Sequence, residues 1–352
     1  MIQYYVVLPL FGNGHEHGQG PSQPDAQAGW VQAIYRGRGV RRDRQGNKAL
    51  PPRPGVMLRE EPLSAQPAIT KAALAERILY SSTDFRWHAG IVPVSGTLYL
   101  PAGAPPAGGW PLLAWAHSTL GVADSCAPSW TGHKPRDATY IARWLESGFA
   151  VVATDYQGLG GPGPHPYLNW AAEGRSVLDA VRAVLAAHAD KLATKVFITG
   201  QSQGSGTALG ATTVAPSYAP DVPLLATVAT GLVSTFPDGP CPPAEPFTIG
   251  SPIYLTLMML GGSLPDETSV DKLVTEKGGL VLRAARESCT GEMRAIAQKG
   301  SVMAENASEL SVSDGHEARP TGARSPGNRT CRFRAAAASA ICRRCRLVRG
   351  RQ

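Results

Sequence analysis

Apolar positions fall into short blocks that alternate between strand-like and helix-like spacing from about residue 75 onward. Ile91-Val92 and Gly96 to Leu100 predict a hairpin of β-strands, and Leu112 to Ala116 predicts a short apolar strand. Asp137 to Ser147 predicts a helix, with Tyr140, Ile141, Trp144 and Leu145 on one face and Gly148 as its stop. Phe149 to Thr154 has the pattern of a buried strand. Val177, Val181, Val184 and Leu185 mark the core face of a helix over about 171–188. Val196 to Thr199 is the next strand, a helix of small residues follows from Gly204, and Leu224 to Ala229 is another strand. Strands and helices alternating at these lengths imply an α/β fold, with a mostly parallel sheet covered on both faces.

The pattern also divides the chain. Residues 1–55 form an irregular N-terminal arm, since 12–55 are rich in Gly, Pro, Gln and Arg without a lasting period. Residues 56–235 hold the alternating core. The alternation then breaks: 236–262 are rich in Pro and Gly, end in the apolar segment Tyr254 to Leu260, and give way to helical patterns up to about 300. Residues 236–300 are therefore expected to be an inserted helical cap. Residues 301–352 form an atypical Arg-rich tail in which 318–352 could build no core.

Charge changes the picture only in that tail. The chain of 352 residues carries a net charge of +7, but 301–352 contain ten Arg against four acids, which leaves +1 for residues 1–300. A folded basic face is excluded, and no nucleic-acid partner is expected. The strongest apolar stretch, Ile253 to Leu260, is far short of the ~18 residues that cross a bilayer, so no transmembrane segment is expected. Met1 to Phe11 has neither a positive start nor a small-residue cleavage site after it, so it makes no convincing signal peptide. The cysteines, Cys126, Cys241, Cys289, Cys331, Cys342 and Cys345, are too scattered for a disulfide scaffold. His15-Glu16-His17 lies among glycines without a third ligand, and Cys342-Arg343-Arg344-Cys345 lacks a second pair. No metal and no cofactor are expected, and the protein is expected to be a monomer.

One motif carries chemistry. Gly200-Gln201-Ser202-Gln203-Gly204 stands where the strand Val196 to Thr199 meets a small-residue helix. There a serine is held in a tight, strained turn, and a side chain at either flanking glycine would collide with the neighbouring strand or helix. Ser202 is the candidate nucleophile, and the amide of Gln203 is one candidate oxyanion donor. A second donor is expected from Ala116-His117-Ser118-Thr119-Leu120-Gly121, directly after the strand 112–116, by the amide of Ser118 or Thr119. His117 precedes the serine and is expected to shape the loop by hydrogen bonding.

Five segments carry a resemblance. Ser125 to Ser129, Val151 to Gly160, Pro164 to Leu168, Arg175 to Ala183 and Gly200 to Gly204 together resemble the secretory lipase family, over about residues 50–295. The resemblance implies an α/β-hydrolase fold with a helical cap, secretion, and cofactor-free hydrolysis of acyl esters or lipids through a Ser-Asp-His triad. It also implies a disulfide from Cys126 to the cap, with Cys289 the better partner and Cys241 the other. Members commonly have His-Gly-Thr in the oxyanion loop, where this chain has Ser118 in place of glycine.

The acid and base of such a triad follow the serine in the chain. Downstream of Ser202 the only histidine is His316, with Asp314 two residues before it, and neither follows a recognisable strand. They are the candidate base and its orienting acid. The Arg, Ala, Gly and Pro content of the tail fits a shifted reading frame near residue 300, and the fold is then expected to be incomplete at its C-terminus. The expected function is a serine carboxylic ester hydrolase, an esterase or lipase. An inactive or truncated homologue lacking the triad Asp and His, and an amidase or peptidase on the same fold, are the alternatives.

Overall fold

The computed structural model describes residues 53–63, 69, 72–86, 90–232, 252–262 and 270–300. The chain divides into two units, Met1–Val233 and Ser234–Gln352.

The first unit is built on a seven-stranded sheet. Its strands are β1 (Met57–Pro62), β2 (Ala72–Thr83), β3 (Ile91–Pro101), β4 (Trp110–Ala116), β5 (Ala150–Thr154), β6 (Leu192–Gln201) and β7 (Leu224–Thr230), in the order β1-β2-β3-β5-β4-β6-β7. β4 pairs in parallel with β5 and β6, and β6 with β7, whereas β1, β2 and β3 join by antiparallel pairing that runs on to β5. Every residue of β5, and all of β4 except Pro111, is buried, as expected of strands covered on both faces. Among the described residues this unit has four α-helices: α1 (Pro128–Thr131), α2 (Pro135–Glu146), α3 (Trp170–Ala187) and α4 (Gln203–Tyr218). This mixed, mostly parallel sheet flanked by helices is the α/β-hydrolase fold.

The expected strands and helices from residue 110 to 230 are present, with ends displaced by a few residues. The N-terminal hairpin is corrected. Ile91 to Pro101 is one continuous strand, which pairs antiparallel with β2 on one side and with β5 on the other. Gly96 lies in the middle of this strand. A Cβ there would come within 2.5 Å of the Ala153 carbonyl oxygen, so the glycine permits a close approach of two backbones. β2, whose Ala-Leu-Ala-Glu-Arg start has helix-like composition, is the hairpin partner that the sequence pattern leaves out.

Packing follows the alternation of the strands. Val151 and Ala153 of β5, with Tyr99, Leu113 and Trp115, form a core with Ile141 and Leu145 of α2. On the other face α3 packs against β2 and β5. Its Asn169 cap accepts from Ala172 N at 3.3 Å, and Val177, Val181 and Val184 are buried along one stripe. Polar ties fix this layer. Asp179 of α3 accepts from Ser82 Oγ of β2 at 2.8 Å and from Tyr218 Oη of α4 at 2.6 Å, while Tyr80 Oη of β2 donates to the Ser176 carbonyl at 2.9 Å and lies 2.6 Å from Thr154 Oγ1.

The second unit contains α5 (Pro252–Gly262), α6 (Glu276–Glu287) and α7 (Thr290–Lys299), with a short 3-10 turn at Val270–Leu273. Leu255, Met259, Val270 and Leu282 make its apolar cluster. Thr275 caps α6 by accepting from Gly278 N at 3.2 Å. Cys126 and Cys289 are both disulfide-bonded. Among the described residues no helix is long and apolar enough to cross a membrane.

Tyr80→Phe tests the polar ties. Its hydroxyl is fully buried between β5 and α3, so removing it is expected to lower unfolding stability by about 1–3 kcal/mol without changing the fold, as read from urea denaturation followed by circular dichroism.

Candidate active site

Ser202 is the single residue between the end of β6 and the start of α4. Its φ of 56° and ψ of −117° lie in a region that side chains other than glycine rarely adopt. The flanking glycines show why the turn is so tight. A Cβ on Gly200 would stand 1.9 Å from the Gly204 carbonyl oxygen, and one on Gly204 would stand 2.0 Å from the carbonyl oxygen of Ala116 at the end of β4. Backbone bonds hold the strained residue: Ser202 N donates to Thr230 O, and Ser205 N donates to Ser202 O, each at 2.9 Å. The Ser202 side chain is half-buried, and no described residue hydrogen-bonds its hydroxyl.

The loop after β4 lies against this turn. His117, Ser118 and Thr119 are buried, and the His117 carbonyl oxygen is 2.7 Å from the Cβ position of Gly204. His117 is held by its own neighbours. Its Nδ1 donates to the Ser118 carbonyl at 2.8 Å, its ring packs on Tyr156 with centroids 4.2 Å apart, and its carbonyl accepts from Tyr156 Oη at 2.9 Å. Burial lowers its pKa, so the neutral ring shapes the loop. Thr119 Oγ1 is 2.8 Å from Tyr167 Oη. Arg136 of α2 ties the loop to the turn, because one guanidinium nitrogen donates to Ser118 Oγ at 3.1 Å and to Gln201 Oε1 at 3.0 Å. Asp137 holds that guanidinium at 2.9 Å.

Beneath the serine is a buried polar cluster. The Gln203 side-chain amide donates to Glu173 Oε1 at 2.9 Å and to His165 Nε2 at 3.0 Å. His165 Nδ1 donates to the Gln157 carbonyl at 2.8 Å, which leaves Nε2 free to accept. Glu173 also accepts from Leu168 N at 2.9 Å and contacts Thr207 Oγ1, whose hydroxyl reaches the Gln203 carbonyl at 3.2 Å. With no cation inside the cluster, burial decides both titrations: the His165 pKa is pushed down to about 3, and that of Glu173 up to about 7. A protonated Glu173 would donate to Thr207, which in turn donates to Gln203. Asp155 is likewise buried, with its pKa raised by burial against the opposing bonds from Ser129 and Ser95. Its carboxylate accepts from Ser95 Oγ at 2.6 Å, Ser129 N at 2.9 Å and Ser129 Oγ.

The structure thus brings Ser202, Gln203, Gly200, Gly204, Ser118 and Thr119 into one region. Asp314 and His316 lie outside the described residues. Arg136, His165, Glu173 and Asp155 are additional polar residues around the site. The signal for Glu173 was an acid in the first turn of a helix whose other buried positions are mainly apolar. All three non-glycine residues with positive φ among the described residues, Tyr156 at 70°, Leu168 at 60° and Ser202 at 56°, belong to these loops.

Residues 128–237 match the secretory lipase family. A search of curated protein sequences found no match. Among solved structures the chain is similar to Candida antarctica lipase A in its closed state, with a TM-score of 0.53 at 21% identity, covering 72% of this chain and 58% of that one. It is also similar to the ligand-bound rice cell wall degrading esterase LipA from Xanthomonas oryzae, with a TM-score of 0.58 at 18% identity and coverage of 83% and 79%. A hydrolase from Legionella pneumophila, named as such only on a provisional basis, gives a TM-score of 0.54 at 17% identity over 70% and 72%. The chain therefore spans less than two thirds of the Candida antarctica lipase A chain. These likenesses show the shared fold.

The Glu173 environment predicts a pH effect. A carboxyl raised from 4.5 to about 7 on folding favours the folded state fully below pH 4.5, and this stabilisation fades as pH rises to about 7. Glu173→Gln keeps the shape and removes the titration. The stability of the wild type relative to this variant is expected to fall by on the order of 3 kcal/mol across that window. Urea denaturation of both proteins at a series of pH values reads the difference, and a pH-independent difference would show that Glu173 is not raised.

Proposed function

We propose that this protein is a serine hydrolase of carboxylic esters, an esterase or lipase, with Ser202 as its nucleophile. The observation that carries the reading is the strained turn at Ser202, with a φ of 56° between two glycines that leave no room for a Cβ. Strain of that kind is retained where the chain must present a hydroxyl at the end of a strand, and an ordinary strand-to-helix turn has no such need. The secretory lipase match over 128–237 includes this turn and supports an ester as the substrate class, and it also supports secretion.

In this reading Ser202 Oγ attacks the ester carbonyl and the carbonyl oxygen becomes an oxyanion. The amide of Gln203 and that of Ser118 or Thr119 donate to it. Collapse expels the alcohol and leaves an acyl-enzyme, which water then hydrolyses. A base must take the serine proton and return it to the leaving alcohol. His316 is the candidate, oriented by Asp314, because no histidine lies closer downstream of the serine. Residues 236–300 supply the cap. Arg136 and Glu173 position the two donor segments rather than touch the substrate.

Hydrolysis of short-chain p-nitrophenyl esters by the purified chain tests the proposal. Ser202→Ala is expected to lower kcat/KM by about a thousandfold or more while moving stability by less than about 0.5 kcal/mol. A fluorophosphonate probe should label the native wild type and leave the variant unlabelled. Retained activity in the variant would place the nucleophile elsewhere. Lack of any turnover in a folded wild type would favour the inactive homologue, and faster cleavage of p-nitroanilides than of esters the amidase.

A further inference from the structure

A separate cluster lies away from the serine, at the β1 side of the sheet. Glu60 of β1 pairs with Ile78 in the β1–β2 ladder, and Glu76 of β2 pairs with Pro62. Glu60 and Glu76 thus share one face of the ladder as diagonal neighbours. α3 packs against that face, and His188, its C-terminal cap residue, reaches the same point. A carboxylate oxygen from each glutamate and a ring nitrogen of His188 all lie within 4.8 Å of one another. His188 Nε2 is 2.6 Å from Glu60 Oε1.

The internal contacts leave this cluster incompletely satisfied. Glu76 Oε2 is buried and accepts no hydrogen bond, a costly state for a carboxylate oxygen. Burial and the charge of Glu60 both disfavour the ionised Glu76, while the charges of His188 and Lys191 favour it, and among the described residues no ion pair involves Glu76. The three side chains differ in access. The His188 side chain is 11% exposed, whereas that of Glu60 is 31% exposed and opens the cluster to solvent.

We propose that Glu60, Glu76 and His188 bind a divalent cation of the zinc class, which fastens β1 and β2 to the C-terminal end of α3. Two carboxylate oxygens and an imidazole nitrogen suit a borderline ion, whereas calcium favours a shell of oxygen alone. The ion gives the buried Glu76 oxygen a partner, balances the two negative charges, and takes water as a further ligand on the Glu60 side. Its role is to hold the edge of the sheet, and the proposal does not depend on the hydrolase reading.

The test is calorimetric titration of zinc chloride into the chelator-stripped full-length chain, with Glu76→Gln and His188→Gln in parallel. Zinc taken up at His15, His17, Cys342 or Cys345 is common to all three proteins. The wild type is expected to bind one saturable equivalent more than either variant, and zinc is expected to raise its melting temperature more. Circular dichroism establishes that each variant is folded, and Glu60→Gln, at the exposed end of the cluster, replaces either one that is not. Equal stoichiometry in the wild type and the variants, or no saturable binding by the wild type, would overturn the proposal.

Discussion

The close approach of three backbone segments governs the centre of this molecule. β6 enters the sheet beside β4 with Gly200 opposite Ala116, and α4 must leave from that level without striking either strand. It does so because Gly204 carries no Cβ where the Ala116 carbonyl oxygen is only 2.0 Å from the position a Cβ would take. The chain then has a single residue in which to reverse from strand to helix, and Ser202 absorbs the reversal with its positive φ. The loop from His117 to Thr119 lies against the same contact, so its place is set by it as well. So is the first side chain of α4, which sends the Gln203 amide down to Glu173 and His165.

That inward direction accounts for the polar interior below the turn. A strained backbone holds its conformation only when its surroundings over-determine it. Here Gln203, Glu173, His165 and Thr207 join α4 to α3 and to the loop before α3 through bonds that have no solvent to replace them. Burial keeps the imidazole neutral and raises the Glu173 carboxyl to about 7, so the cluster holds at most one charge, which Gln203, Thr207 and Leu168 meet with hydrogen bonds. On the other side of the turn Arg136 performs a similar tie at the surface, where its charge remains solvated.

The segments that resemble secretory lipases are scattered in the chain but meet in space. Ser129 bonds Asp155, the Gln157 amide donates to Ser176 Oγ at 3.2 Å, and the Gln157 carbonyl receives His165. Each segment supplies a partner that another would otherwise lack, which explains why a set of short polar motifs is more specific than any one of them. The low identity to the solved neighbours is compatible with this, since apolar positions elsewhere need only volume and period.

Much of the fold was legible in the sequence because burial leaves a periodic trace. The apolar runs of β4, β5 and β6 and the stripe Val177, Val181 and Val184 could be placed from spacing alone, and the glycines at 200 and 204 announced the turn with its serine. Strand pairing was not legible in the same way. Ile91-Val92 and Gly96 to Leu100 read as two strands of a hairpin, because nothing in the letters marks Gly96 as the glycine that a neighbouring backbone requires in the middle of one long strand. β2 was passed over because its polar positions depend on which strand lies beside it. The partners of Gln203 and the meeting of Glu60, Glu76 and His188 were set by tertiary structure alone: a hydrogen bond or an electrostatic contact acts through distance in space, and residues 128 positions apart in the chain reach 2.6 Å only after the sheet and α3 have packed.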